Sequence, residues 1–180
     1  MLVSKETEFQ TRLETSKGDN MQKITPFLWF DNQAEEAANF YVSLFKNSKV
    51  GDIMRSVDEA SSGRPEGSVL VVDFQLEGQE FAAINGGPTF KFTEAVSFVV
   101  NCESQEEVDY FWDKLVEGGG QESQCGWLKD KYGLSWQITP SILLELIKDK
   151  DSAKAKRVFE AMLKMKKIDI ATLKQAAEQA

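Results

Sequence analysis

The chain has 180 residues, 42% of them hydrophobic and 11% aromatic, which is enough for a packed core without disulfide or metal staples. Its net charge of -8 and pI near 4.7 argue against a general phosphate-binding surface, so nucleic acid is not an expected partner. Histidine is absent, which removes Ser-His and Cys-His pairs, histidine general bases and two-histidine iron sites.

Residues 1–20 are polar and lack sustained periodicity, and are read as a mobile N-terminal extension; a native start at Met21 and a vector-derived leader explain them equally well. From Ile24 the pattern changes. ITPFLWF is a short β-prone run, and EEAANFYVSLF carries apolar residues at Ala37, Phe40, Tyr41, Leu44 and Phe45, the spacing of an amphipathic helix that should stop near Asn47. Asn32 with Glu35 three residues on resembles a capping box, in which side chains satisfy free N–H groups of the first turn. Lys49 to Ser56 reads as a second strand and Asp58 to Gly67 as a mobile loop. SVLVVDFQL, the turn Glu77-Gly78 and the return strand EFAAIN then complete a β-α-β-β-β unit.

The plan recurs. A shift of 71 residues puts Glu35-Glu36 on Glu106-Glu107, Phe40 on Phe111, Tyr41 on Trp112 and Leu44 on Leu115, and lays ITPFLWF over AVSFVVN. Ser104 and Glu107 offer a second capping box, and Gly118 to Gly120 a left-handed helix end. QCGWLKD and LSWQITP read as two strands around Tyr132-Gly133. Beyond Pro140 come a short helix at Ser141–Ile147 and a helical stripe from Ser152, broken near Asp169, whose lysines are read as a solvated face. The expected organisation is an extension at 1–20, a first βαβββ module at 21–88, a second βαββ(β) module at 89–140 and a helical tail at 141–180. No apolar run approaches the roughly 20 residues that span a bilayer, so no membrane association is expected. Cys102 and Cys125 lie 23 apart without metal-knuckle spacing and read as reduced thiols of a cytoplasmic protein.

ITPFLWFD opening the first module, FAAINGGPTFKFTEAVSF bridging the two and CGWLKDKYGLSWQITP closing the second resemble the PhnB-like branch of the vicinal-oxygen-chelate superfamily. This group is often labelled 3-demethylubiquinone-9 3-methyltransferase-like, and is related in fold to glyoxalase I and bleomycin-resistance proteins. The resemblance runs from residue 22 to about 174. It implies an α+β fold of tandem βαβββ modules with a C-terminal helical tail, a cavity shared by the modules, and a homodimer. The resemblance also implies a divalent metal held by His, Glu or Gln. Gln137 falls where a glutamate ligand usually sits, but the positions near Ile24 to Pro26 and Ala95 to Ser97 on the opening strands offer no good ligand, Ser97 being a weak one, so no metal and no cofactor is expected. Asn85-Gly86-Gly87 follows a strand as a methyl-donor turn would, yet Pro88 and an extended TFKF come next, which reads as a connector.

Asn85, Ser97, Cys125, Trp127 and Gln137 are the candidate ligand-binding residues; catalytic residues are not assigned. Trp29, Phe40, Tyr41, Phe111 and Trp112 are read as core aromatics. The expected function is binding of a small organic molecule in the inter-module cavity. An enzyme acting on a quinone-like substrate through Gln137, Asn85 and a water, and a structural or regulatory dimer working through its C-terminal helices, are the alternatives.

Overall fold

A computed structural model describes residues 22–179, so the extension at 1–20 lies outside the described residues. The first half runs β1 (Phe27–Phe30), α1 (Ala34–Leu44), β2 (Lys49–Arg55), a helical turn α2 (Glu59–Ser62), β3 (Val69–Leu76) and β4 (Gln79–Asn85). Its sheet has the order β1-β4-β3-β2, with β1 parallel to β4 and the other pairs antiparallel. The second half runs β5 (Ser97–Cys102), α3 (Gln105–Val116), β6 (Gln121–Glu122), β7 (Trp127–Lys129) and β8 (Ser135–Pro140), in the order β5-β8-β7-β6. The tail is α4 (Ser141–Ile147), α5 (Ser152–Met162) and α6 (Ile170–Glu178).

Local sequence explains most of these elements. Glu77 and Gly78 both take positive φ, at 47° and 84°, which gives the tight turn whose twist matches the flanking strands β3 and β4. Ser104 caps α3 by accepting from Glu107 N at 3.3 Å, while Glu107 Oε2 accepts from Glu103 N at 2.8 Å. After α3 the chain turns at Gly118 and Gly119, both with positive φ. At Gly120 a side chain would meet Lys129 O and Val116 Cα at 2.7 Å, so only glycine lets the helix end press on β7.

Three expectations are corrected. The first helix does not use an Asn32–Glu35 box: its cap is Gln33, which makes no side-chain cap bond, and Ala34 N donates to Asn85 Oδ1 at 2.8 Å instead. The stretch from Asp58 to Gly67 is internally bonded. Buried Ser56 Oγ lies 2.6 Å from Ser62 Oγ and donates to Asp58 O and Arg64 O, and Gly67 N closes back on Ser56 O. The third correction concerns the repeat. The 71-residue shift holds for the helices, where Tyr41 and Trp112, and Leu44 and Leu115, are all buried. It fails for the opening strands: β1 turns Leu28 and Phe30 inward, whereas β5 buries Val100 and Cys102 and turns Phe98 onto the core. An odd offset on a period-two strand swaps its faces, and a one-residue difference in the strand-to-helix connection restores the core side.

The helix-side faces of both sheets share one core, which holds Tyr41, Phe74, Trp112, Leu128 and Ile138. Ring contacts of Phe45 with Phe111 (4.9 Å) and Phe81 with Phe98 (5.3 Å) cross between the halves. The two sheets thus meet through this core, with their other faces turned outward. The tail has a smaller core of its own around Leu143, Val158, Ile168 and Leu173, and is strapped to the second half where Cys125 N and Gly126 N donate to Met165 O and Lys166 O.

Candidate functional site

Where the two halves diverge at one end, a cleft of about 980 Å3 remains. Its floor is aromatic: Phe45 past the end of α1, Phe81 on β4, Phe98 on β5, Tyr110 and Phe111 on α3, and Trp136 on β8. Strand β5 contributes from both of its faces, Phe98 and Val100 from the core side and Val99 and Asn101 from the other. Phe98 packs on Phe81 at 5.3 Å and on Trp136 at 5.7 Å, yet still fronts the opening. The rim carries Glu77, Glu103, Glu106 and Glu107 against a single cation, Lys46. Glu106 is held below the usual carboxylate range by a backbone N–H and by Ser104, so it is ionised at neutral pH.

None of the five expected site residues lines this cleft. Three of them gather elsewhere. Gln137 Nε2 donates to Ser97 Oγ at 2.9 Å, and Trp127 is the Cα partner of Gln137, so all three stand on the outward face of the second sheet. Beside them Ser135 Oγ is buried with no hydrogen-bond partner among the described residues. Asn85 sits on the other sheet, where its amide bonds Ala34 N and Val69 O and ties three segments together. Cys125 lies at a turn with φ 59°, next to the tail strap. Cys102, by contrast, is in the core, and burial followed by the nearby Glu107 and Glu103 charges pushes its thiol up to about 12, which makes it a poor nucleophile.

The cleft residues escaped sequence reading because Phe45, Phe81, Phe98 and Phe111 sit at ordinary core spacing. Only the meeting of two halves reveals that one end of that core is open. Trp29 is also corrected: it faces outward and half-buried, with its indole N–H donating to Gly87 O at 2.9 Å and its ring edge-on to Phe90.

A buried network locks the halves together beside the cleft. Asp130, 3% exposed, accepts from Tyr41 Oη at 2.8 Å and Trp136 Nε1 at 2.9 Å through Oδ2, and from Tyr132 N and Leu134 N through Oδ1. Burial raises its pKa despite these four donors. Tyr132 in turn donates to Glu36 Oε1 at 2.7 Å, and that bond, with Lys131, lowers the Glu36 pKa.

The residues present do not fit the metal or the methyl donor. Among the described residues no three Cys, Asp or Glu side chains gather closely enough to hold an ion, and Gln137 with Ser97 offers only an amide and a hydroxyl. At Gly86 a Cβ would fall 2.1 Å from the Trp29 ring, so the space that glycine opens is filled by the protein's own indole and not left for a cofactor.

The model of the family described as 3-demethylubiquinone-9 3-methyltransferase matches residues 22–139. A structure described as a 3-demethylubiquinone-9 3-methyltransferase, PhnB protein, from Bacillus cereus is 44% identical, with a TM-score of 0.60, covering 67% of this chain and 100% of that one. Protein PA1353 from Pseudomonas aeruginosa is 17% identical with a TM-score of 0.54, covering 67% of this chain and 98% of that one, a likeness of fold alone. A comparison with curated proteins finds no match. The family model stops at residue 139, before the helical tail, whereas the sequence resemblance reached into it.

Proposed function

The chain belongs to the 3-demethylubiquinone-9 3-methyltransferase family, the PhnB-like group of the vicinal-oxygen-chelate fold, and we propose that it binds a small organic molecule in the inter-module cleft. The methyltransferase label is a family name and assigns no reaction to this chain. The observation that carries the reading is the cleft itself. Its volume of about 980 Å3 and its aromatic floor match the usual chemistry of small-molecule sites. Aromatic faces supply large apolar contact with little side-chain entropy to lose, so affinity follows from shape and burial without any reacting group. A protein working this way needs no resident metal or cofactor. With two free, separated thiols we place it in the cytoplasm.

The test is a ligand-observed NMR screen of small aromatic compounds, repeated on Ser43→Trp. Ser43 is an exposed cleft residue of α1, so the added indole fills the opening without disturbing the core. Hits should lose binding in the variant. Hits that survive it and map to Ser97, Trp127 and Gln137 would sink the cleft reading.

A second reading rests on that other cluster. The polar trio with orphaned Ser135 Oγ, and exposed Phe27 and Met54 on the outward sheet face of the first half, suit a surface closed by a second copy of the chain. A homodimer by light scattering is the expected result, and a monomer at micromolar concentration would remove this reading.

A further inference from the structure

We propose that the ligand of the inter-module cleft is an organic cation, an aromatic or bulky apolar amine that carries a permanent or protonated ammonium. This rests on the cleft being the binding site, and it names the chemistry that the site selects.

Two features of the cleft point the same way. The first is the floor. Phe45, Phe98, Tyr110, Phe111 and Trp136 line one cavity, and the negative π-face of an aromatic ring attracts a cation that has been stripped of water. Apolar substituents on the same ligand would bury against these rings.

The second is the rim. Glu77 stands on the β3–β4 turn and Glu103, Glu106 and Glu107 at the start of α3, and all four line the cleft with Lys46 as the one cationic side chain among them. The three at the start of α3 already bond within the protein. Glu107 accepts from Glu103 N, Glu103 accepts from Ser141 Oγ, and Glu106 is bonded by Ser104, so their positions are fixed. The N-terminal dipole of α3 opposes this field, but it amounts to about half a charge, so it cannot offset three carboxylates. The end of α1, which brings Leu44 and Phe45 to the cleft, has no basic residue in its last turn and adds partial negative charge. An anion entering here meets four carboxylates against one cationic side chain, Lys46. A neutral aromatic gains the floor alone.

The test uses backbone-amide NMR on the full chain with three probes of similar ring size: benzyltrimethylammonium, benzyl alcohol and phenylacetate. The expected result is that the ammonium shifts the amides of Phe45, Lys46, Glu77 and Glu103 to Glu107. Its Kd should be about tenfold or more below that of the alcohol, and the gap should narrow as salt is raised. Glu77→Gln with Glu106→Gln should weaken the ammonium several-fold and leave the alcohol unchanged. Lys46→Glu, a single exposed change, should tighten the ammonium, and reads the same field should the double variant fold poorly. Equal binding of all three probes in the cleft would overturn the cation assignment while leaving the cleft as the site. Shifts confined to Trp127 and Gln137 would overturn both. Cleft amides that shift with protein concentration alone would give the cleft to a second copy of the chain, and the assignment would fall.

Discussion

Asp130 shows how much one side chain can settle. It lies in a turn of the second half, yet its carboxylate holds Tyr41 of α1 and Trp136 of β8, so it joins the two halves at a buried point. In Asp130→Asn the amide nitrogen cannot accept, and the tyrosine hydroxyl and indole N–H then lose their acceptor in a dry environment. The expected loss is about 2–4 kcal/mol in urea unfolding. The pH dependence carries a separate sign. Because burial raises its folded pKa above 3.8, the stability that protonated Asp130 contributes is full below 3.8 and is lost as pH rises through the folded value. The wild type should therefore lose stability from this residue as pH rises from about 3.8 through the raised folded value, and Asp130→Asn should flatten that part of the profile, as stability measured against pH would show.

Between residue and whole, the two helices at the heart of the repeat are started by different devices. Helix α3 carries its own cap in sequence, and Ser104→Ala should cost about 1 kcal/mol. Helix α1 borrows its cap from a strand 51 residues away, and Asn85 also reaches Val69 O. Asn85→Ala should therefore cost more than Ser104→Ala, about 2–3 kcal/mol, because a buried N–H and a carbonyl both lose their partner. Denaturation of the two variants side by side checks the order; equal losses would mean that the Asn85 bond adds little beyond a local cap.

At the scale of the molecule, the tail is a separate packing unit attached by a few contacts. Ile168 is fully buried, lies 3.2 Å from where a Gly126 Cβ would stand, and is flanked by Gln105, which bonds both Ile168 O and Ile170 N. Several tail lysines are paired: Lys154 with Asp149 inside the tail, and Lys166 with Glu122 and Lys167 with Asp109 and Asp113 across to the second half. Truncation after Asp151 should leave the two-sheet body folded by circular dichroism, with stability lowered by about 2–4 kcal/mol from lost apolar burial and two lost backbone bonds. Loss of all folded signal would show that the body depends on the tail.

By itself the sequence determined the alternation of strands and helices, the tandem plan, the capping box of α3, the hairpin at Glu77-Gly78 and the break at Asp169, because each depends on residues within a few positions of one another. The family followed from the same local motifs. The strand faces were lost to a one-residue change in connection that period-two alternation magnifies into a reversal. The cap of α1 was invisible because its acceptor comes from β4, and Asn32 with Glu35 mimicked a box that the backbone does not use. The site was least legible of all. Ser97, Trp127 and Gln137 do converge, since they share a face of adjacent strands, but Asn85 was claimed by the fold. The cleft exists only where two halves with ordinary core aromatics stop short of each other, and no spacing in the chain encodes that gap; tertiary packing alone decides it.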